Sequence, residues 1–191
     1  MQGTPAYRIE LGRALLLQND AGRVLKEIHA EGFPMDAAAT ILSMRGGAYL
    51  SLRQIDDARS AFAEAIKIQP RHVPSILGLA SLAIVTNDMR SAEAYVDNAL
   101  TIAPNNVDAL LFKGDLLRQQ GKPENALKTY QRAANADQTQ YSPLLRQAIL
   151  LLSMGKVPEA KETLAKVDKI HPGLSDTRYY SALIHFSEGR L

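Results

Sequence analysis

The feature that most constrains this chain is a spacing. Pro70 and Pro104 lie 34 residues apart and Pro172 a further two periods on, so the chain divides into units 5–38, 39–72, 73–106, 107–140 and 141–174, with a half unit from 175. In that register the eighth position of every unit is small: Gly12, Gly46, Ala80, Gly114, Ala148 and Ala182. The twentieth is Ala58, Ala92, Ala126 and Ala160, with Val24 as the exception, and the twenty-fourth is bulky throughout, Ile28, Phe62, Val96, Tyr130 and Leu164. A fixed period of this length marks a stacked array whose units bury their apolar faces against each other.

Within a unit the apolar residues recur at three- and four-residue spacing, as in Ile76, Leu79, Ala80, Ala83 and then Ala92, Val96, Ala99, Leu100. That is helical periodicity, and no strand alternation competes with it. Turn signals divide each unit in two: Asn19-Asp20, Asn87-Asp88, Gly121-Lys122-Pro123 and Gly155-Lys156-Val157-Pro158. Gly closes a helix and Pro fits the first turn of the next, where its missing N–H is not needed. Small residues at columns eight and twenty predict close approach of two helix axes, with the bulky column twenty-four beside them. The prolines of column thirty-two are placed to stop the second helix.

The period and these columns resemble the tetratricopeptide repeat over essentially the whole chain. Unit 39–72 agrees best, through Gly46, Tyr49, Ala58, Phe62, Ala65 and Pro70. Unit 5–38 departs most, with Val24, Glu31 and Asp36 in place of two small residues and proline, and unit 107–140 has Gln138 where proline is expected. The resemblance implies an all-α fold: an α-solenoid of helix-turn-helix hairpins in a right-handed superhelix, about five repeats and a final helix at 175–188, forming one domain over 1–191.

A narrower resemblance rests on Leu77-Gly78-Leu79-Ala80, on Lys113-Gly114-Asp115-Leu116-Leu117 with Gln120-Gly121-Lys122, and on Tyr180-Ser181-Ala182-Leu183 with Gly189-Arg190. These stretches look like the repeat-rich lipoprotein of PEP-CTERM/exosortase systems, a family associated with bacterial exopolysaccharide production and protein sorting. Members are longer and carry a lipid-modified cysteine. This chain has no Cys, no basic n-region at its start and no leader, so it reads as a piece of such a protein. The resemblance implies the periplasm or cell envelope; without it, the cytoplasm.

Composition narrows the chemistry. With 22 Lys+Arg against 20 Asp+Glu there is no basic stripe to follow phosphates, which argues against nucleic acid. The longest apolar run, Ile76 to Val85, is too short to span a bilayer. Gly121-Lys122 fails as a phosphate loop because Leu116 and Pro123 stand where Gly and Ser/Thr are needed. His29, His72, His171 and His185 have no zinc spacing, and the first three fall on repeat edges or second helices, where solvated imidazoles are expected. No serine sits in a nucleophile elbow, and pairs such as Asp56-Asp57 suit helix starts. The expectation is a non-catalytic protein with no cofactor and no metal.

In the family the first helices line a concave face through columns two, five, nine, twelve and thirteen. Carried onto this chain, those columns give Ile9, Arg13, Leu16 and Gly47, and as the candidate partner-binding set Ser43, Leu50, Leu77, Ser81, Ile84, Asp108, Leu111, Asp115, Arg118, Leu145, Ile149 and Leu152. The lysine and asparagine with which some members hold a terminal carboxylate are absent from columns five and nine. The lining suits an extended or helical protein segment with aliphatic anchors, oriented by Asp115 and Arg118. Those two stand three apart on one helix and also read as a surface ion pair, and about half of the leucines read as core. A protein or peptide is the expected partner, with direct polysaccharide binding and a purely structural segment as alternatives. The final helix, apolar on more than one side through Tyr179, Tyr180, Leu183, Ile184 and Phe186, points to a missing neighbouring helix or to self-association.

Overall fold

A computed structural model describes residues 4–187. Its described residues form eleven helices and no strand. They divide into two compact units, one up to Ala103 and one from Pro104.

The first unit holds α1 (Pro5–Leu17), α2 (Ala21–Glu27), α3 (Met35–Ser51), α4 (Ile55–Ile68), α5 (Val73–Val85) and α6 (Met89–Ile102). The second holds α7 (Val107–Gln119), α8 (Pro123–Ala136), α9 (Ser142–Ser153), α10 (Val157–Ile170) and α11 (Ser175–Ser187). The helices pair as hairpins, α3 with α4, α5 with α6, α7 with α8 and α9 with α10.

The 34-residue spacing is written into the backbone. Among the described residues, the turn inside each hairpin holds one positive-φ residue, Asn19, Arg53, Asn87, Gly121 and Gly155 in order, all at column fifteen. Around each the same two bonds close the first helix. Asp20, Gln54, Asp88, Lys122 and Lys156 donate their N–H to Leu15, Tyr49, Ala83, Leu117 and Leu151 at 2.8–2.9 Å, and the column-fifteen N–H donates three residues back. This double bond pattern is the Schellman motif, which satisfies orphan carbonyls and requires a left-handed residue at its centre. Every second helix then starts on the period, at Ala21, Ile55, Met89, Pro123 and Val157.

The small and bulky columns meet as anticipated from their sizes. Ala58, Ala92, Ala126 and Ala160 are fully buried, as are Ala80 and Ala148, and the column-twenty-four residues are no more than 3% exposed. Phe62 is wedged between two glycines: a Cβ on Gly46 would stand 2.6 Å from its ring and one on Gly78 only 2.2 Å. A Cβ on Gly114 would likewise stand 2.3 Å from the Tyr130 ring. Close axial approach therefore depends on the absent side chain, not on backbone freedom.

The N-terminal hairpin differs from the rest. Helix α2 has 7 residues where the other second helices have 14, so Ile28 is buried but extended and not helical. Gly32 turns the chain at φ +80°, and Pro34 disfavours helix immediately before it, so α3 opens early, at Met35. Carbonyls at the truncated end are satisfied by arginines: Arg45 Nη1 donates to Leu25 and Ile28 at 2.8 and 2.9 Å, and Arg8 to Glu27 at 3.2 Å.

His72 corrects the expectation of three solvated imidazoles. His29 and His171 are exposed, but His72 is 7% exposed at the start of α5. Its Nδ1 lies 2.8 Å from Ser75 Oγ, and Thr40 Oγ1 is 3.5 Å from Nε2. Burial lowers its pKa, and Asp36 opposes that shift.

Candidate partner-binding face

Each unit has its own first-helix face. In the first, Ser43, Leu50, Ser81 and Ile84 are half-buried on α3 and α5, while Leu77 is buried and belongs to the core. The Ser81 hydroxyl is turned back onto the Leu77 carbonyl at 3.0 Å, which leaves this stretch nearly without polar features.

The second unit carries the chemistry. On α7, Asp108 and Arg118 are exposed, Asp115 is half-buried, and Leu111 is buried at 7% exposure. On α9, Leu145, Ile149 and Leu152 are half-buried, and Leu145 and Leu152 lean on the cluster of Ala148, Leu164 and Ile184. Two positions expected on the face, Leu77 and Leu111, are thus mainly packing residues.

Asp115 is differently partnered from the local pair that its spacing with Arg118 suggests. Its Oδ1 accepts from the Tyr130 hydroxyl on α8 at 2.7 Å, and its Oδ2 pairs with Arg146 Nη1 on α9. The carboxylate thus ties together three helices. The Tyr130 phenol is pushed well above its ordinary pKa, first by burial and then by its bond to the Asp115 carboxylate, with Arg118 opposing. It therefore stays a neutral donor. Arg118 lies exposed on the same helix face, beside that phenol.

The charges at this cluster sum simply: one carboxylate, two guanidiniums, and a phenol that does not ionise. The result is a positive centre bordered by the aliphatic side chains of α9. Charge-assisted hydrogen bonds from guanidinium to carboxylate are the strongest recognition such a surface offers. Arg146 was not among the candidate residues. It lies outside the columns used, and its link to Asp115 spans 31 residues of sequence, so no local spacing reveals it.

Three further surface features stand out. On α11, Tyr179, Leu183 and Phe186 occupy columns five, nine and twelve and are 63%, 47% and 67% exposed. Between α10 and α11 lies a groove of 410 Å³ floored by Leu164, Ala165 and Ile184 and rimmed by Arg178 and His185. Between α3 and α4 lies another of 360 Å³. Among the described residues no group of His, Cys, Asp or Glu is arranged to hold a metal, and no helix is long and apolar enough to cross a membrane.

Comparison with known proteins agrees with this architecture. Over 80 residues the chain is 32% identical to Protein NPGR1 of Arabidopsis thaliana, covering 41% of this chain and 12% of that protein. It is 25% identical over 142 residues to Cellulose synthase operon protein C of Pseudomonas fluorescens, covering 70% of this chain and 11% of that one. It therefore spans only about a tenth of the length of these two relatives. Among solved structures, the thermophilic TPR protein TTC0263 of Thermus thermophilus superposes with a TM-score of 0.78 at 17% identity, covering 96% of this chain and all of that one. YrrB, a TPR protein with an unusual peptide-binding site, superposes at 0.57 and 19% identity, covering 80% of this chain and 78% of that one. Three family models, each a tetratricopeptide repeat, match residues 39–72, 77–143 and 117–184. With its repeated hairpins, its column packing and these matches, the chain belongs to the tetratricopeptide repeat family.

Proposed function

We propose that this chain is a non-catalytic interaction scaffold that holds a protein or peptide segment on the first-helix face of α7 and α9. The observation that carries the reading is the Asp115–Arg146 pair with Arg118 beside it, a positive centre flanked by half-buried Leu145, Ile149 and Leu152. The segment that fits carries a carboxylate set between aliphatic side chains. Leucines and isoleucine supply non-directional contact, and the arginines supply orientation. The units 5–38 to 141–174 with their final helix act in this reading as one solenoid domain.

Exopolysaccharide production and protein sorting at a bacterial envelope is the setting we favour. Support comes from the narrower sequence resemblance and from the likeness to a protein named for a cellulose synthase operon. Direct polysaccharide binding has less in its favour, because Tyr130 is buried and Tyr49 is half-buried under the Arg45 guanidinium, 5.7 Å from its ring centre.

The test places a photo-crosslinking amino acid at Ile149 in cells of the source organism. A discrete crosslinked protein is expected, and Arg118→Glu reduces it about ten-fold, the equivalent of roughly 1.4 kcal/mol, with helicity and Tm unchanged. If crosslinking and Tm fall together, Arg118 is structural and the face is misassigned.

A further inference from the structure

Helix α11 carries an apolar stripe with a basic border, and the α3–α4 groove an apolar floor with an acidic one. Helix α11 exposes Tyr179, Leu183 and Phe186, spaced four and three apart and hence aligned on one helix face. Along one border of that stripe run the basic residues Arg178 and His185, seven apart. The groove between α3 and α4 has an apolar floor of Ala38, Leu42, Ala61 and Ile68. Asp57 and Glu64 stand along it, likewise seven apart on one helix. Seven residues are about two helical turns, roughly 10 Å, on both helices, so the guanidinium and imidazole of one surface can face the two carboxylates of the other. None of these four side chains has an ion pair among the described residues.

The groove exists for a definite reason. Helix α2 ends at Glu27, half as long as the other second helices, and the stretch from Ile28 to Pro34 crosses as irregular chain. The α3–α4 face therefore keeps an open volume of 360 Å³. Ser60, and Ala61 on the floor, are small enough for a helix to come close. Arg45 also borders the groove, bonded to the carbonyls of Leu25 and Ile28 with its charge intact, but Glu31 joins Asp57 and Glu64, so three carboxylates outweigh one guanidinium.

We propose that α11 of one molecule docks in the α3–α4 groove of a second, with Tyr179, Leu183 and Phe186 against the floor and Arg178 and His185 opposite Asp57 and Glu64. The contact joins two different surfaces, so it is heterologous: it closes into a ring where the rotation between copies closes and extends as an open chain where it does not. It uses neither Arg118 nor Asp115, and so stands or falls separately from the reading of the α7–α9 face.

Sedimentation velocity on the full chain tests this. Average mass is expected to climb with protein concentration above that of the monomer. Leu183→Glu on the stripe and Glu64→Lys on the groove each raise the dissociation constant at least about ten-fold and leave a monomer with unchanged helicity. Mixing the two variants is the decisive step, because one retains a working groove and the other a working helix. A one-to-one heterodimer and nothing larger supports the proposal. A wild-type chain that stays monomeric overturns it, and so does a mixture that fails to pair. Dimers that survive Glu64→Lys but not Leu183→Glu overturn it too, since α11 would then pair with another α11.

Discussion

Gly46 and Gly47 are neighbours on α3, and replacing each with alanine is expected to move stability in opposite directions. A Cβ on Gly47 meets nothing within 4 Å. Gly47→Ala therefore only relieves the entropy cost of glycine in a helix interior, a gain of about 0.5–1 kcal/mol. A Cβ on Gly46 meets Cε1, Cδ1 and Cζ of Phe62 at 2.6, 2.7 and 2.9 Å. The ring has no retreat, because Gly78 backs it across the wedge so closely that a Cβ there would stand 2.2–2.6 Å from the same three atoms. Overpacking of a closed core costs roughly 1–3 kcal/mol, against a helix-propensity gain of at most about 1 kcal/mol. Gly46→Ala thus loses about 1 kcal/mol net. Gly78→Ala, with its closer approach, loses about 2 kcal/mol within the same overpacking range.

The assay is urea unfolding followed by far-UV circular dichroism, with an unchanged m-value as the sign that only stability has moved. In thermal melts each kcal/mol corresponds to about 2–4 °C for a chain of this size. The wedge also predicts coupling. In a Phe62→Leu background the shorter side chain leaves room for the methyl group, so the penalty of Gly78→Ala shrinks by about 1–2 kcal/mol in a double-mutant cycle. If Gly46→Ala and Gly47→Ala shift the midpoint the same way, or if Gly78→Ala and Phe62→Leu simply add, the wedge is not what sets the hairpin spacing.

Two further outcomes are expected. Arg53 holds φ +61° at the turn position that glycine fills in two other hairpins, so Arg53→Gly raises stability by about 0.5–1 kcal/mol, the left-handed strain relieved less the added entropy of the unfolded chain; a loss on urea unfolding would mean the arginine side chain has a role of its own. For His72, the lowered native pKa means the unfolded chain takes up a proton first as pH falls, so its contribution is intact above the ordinary value of 6.5 and drains away as pH drops through that value toward the depressed native one. Melting curves across this range show the step, His72→Asn flattens it, and an equal slope in both proteins would show that another group is responsible.

The parts of the fold that repeat were legible because repetition multiplies weak signals. One glycine at column eight says little, but six small residues at one register position declare a helix crossing. The turn at column fifteen could be read from Gly121, Gly155, Asn19 and Asn87, residue types that tolerate a left-handed backbone. Arg53 adopts the same angle without any such mark, because the Schellman bonds around it impose the conformation. Helix α2 was harder to delimit, since Ile28 keeps its buried column position while Gly32 and Pro34 end the helical register around it. His72 lay hidden for a different reason: its burial is set by α3, through Thr40, 32 residues away in sequence.

The columns name the residues of the candidate face but not what those residues bond to, and the difference matters for what the proposed face would recognise. Column twenty-four is a packing position, filled by Ile28, Phe62, Val96 and Leu164 in the other hairpins. Tyr130 fills it with a ring that is 1% exposed but carries a hydroxyl, and that hydroxyl has nowhere to donate except outward, to Asp115. A core residue therefore fixes the direction of a face residue, and the fixed carboxylate in turn holds Arg146 across from α9. Had Asp115 paired with Arg118 on its own helix, the two charges would have cancelled on a mobile, solvated surface. With Asp115 turned toward Tyr130 and Arg146, the Arg118 guanidinium stays exposed beside the Tyr130 hydroxyl, which is the position that the proposed recognition of a partner's carboxylate requires.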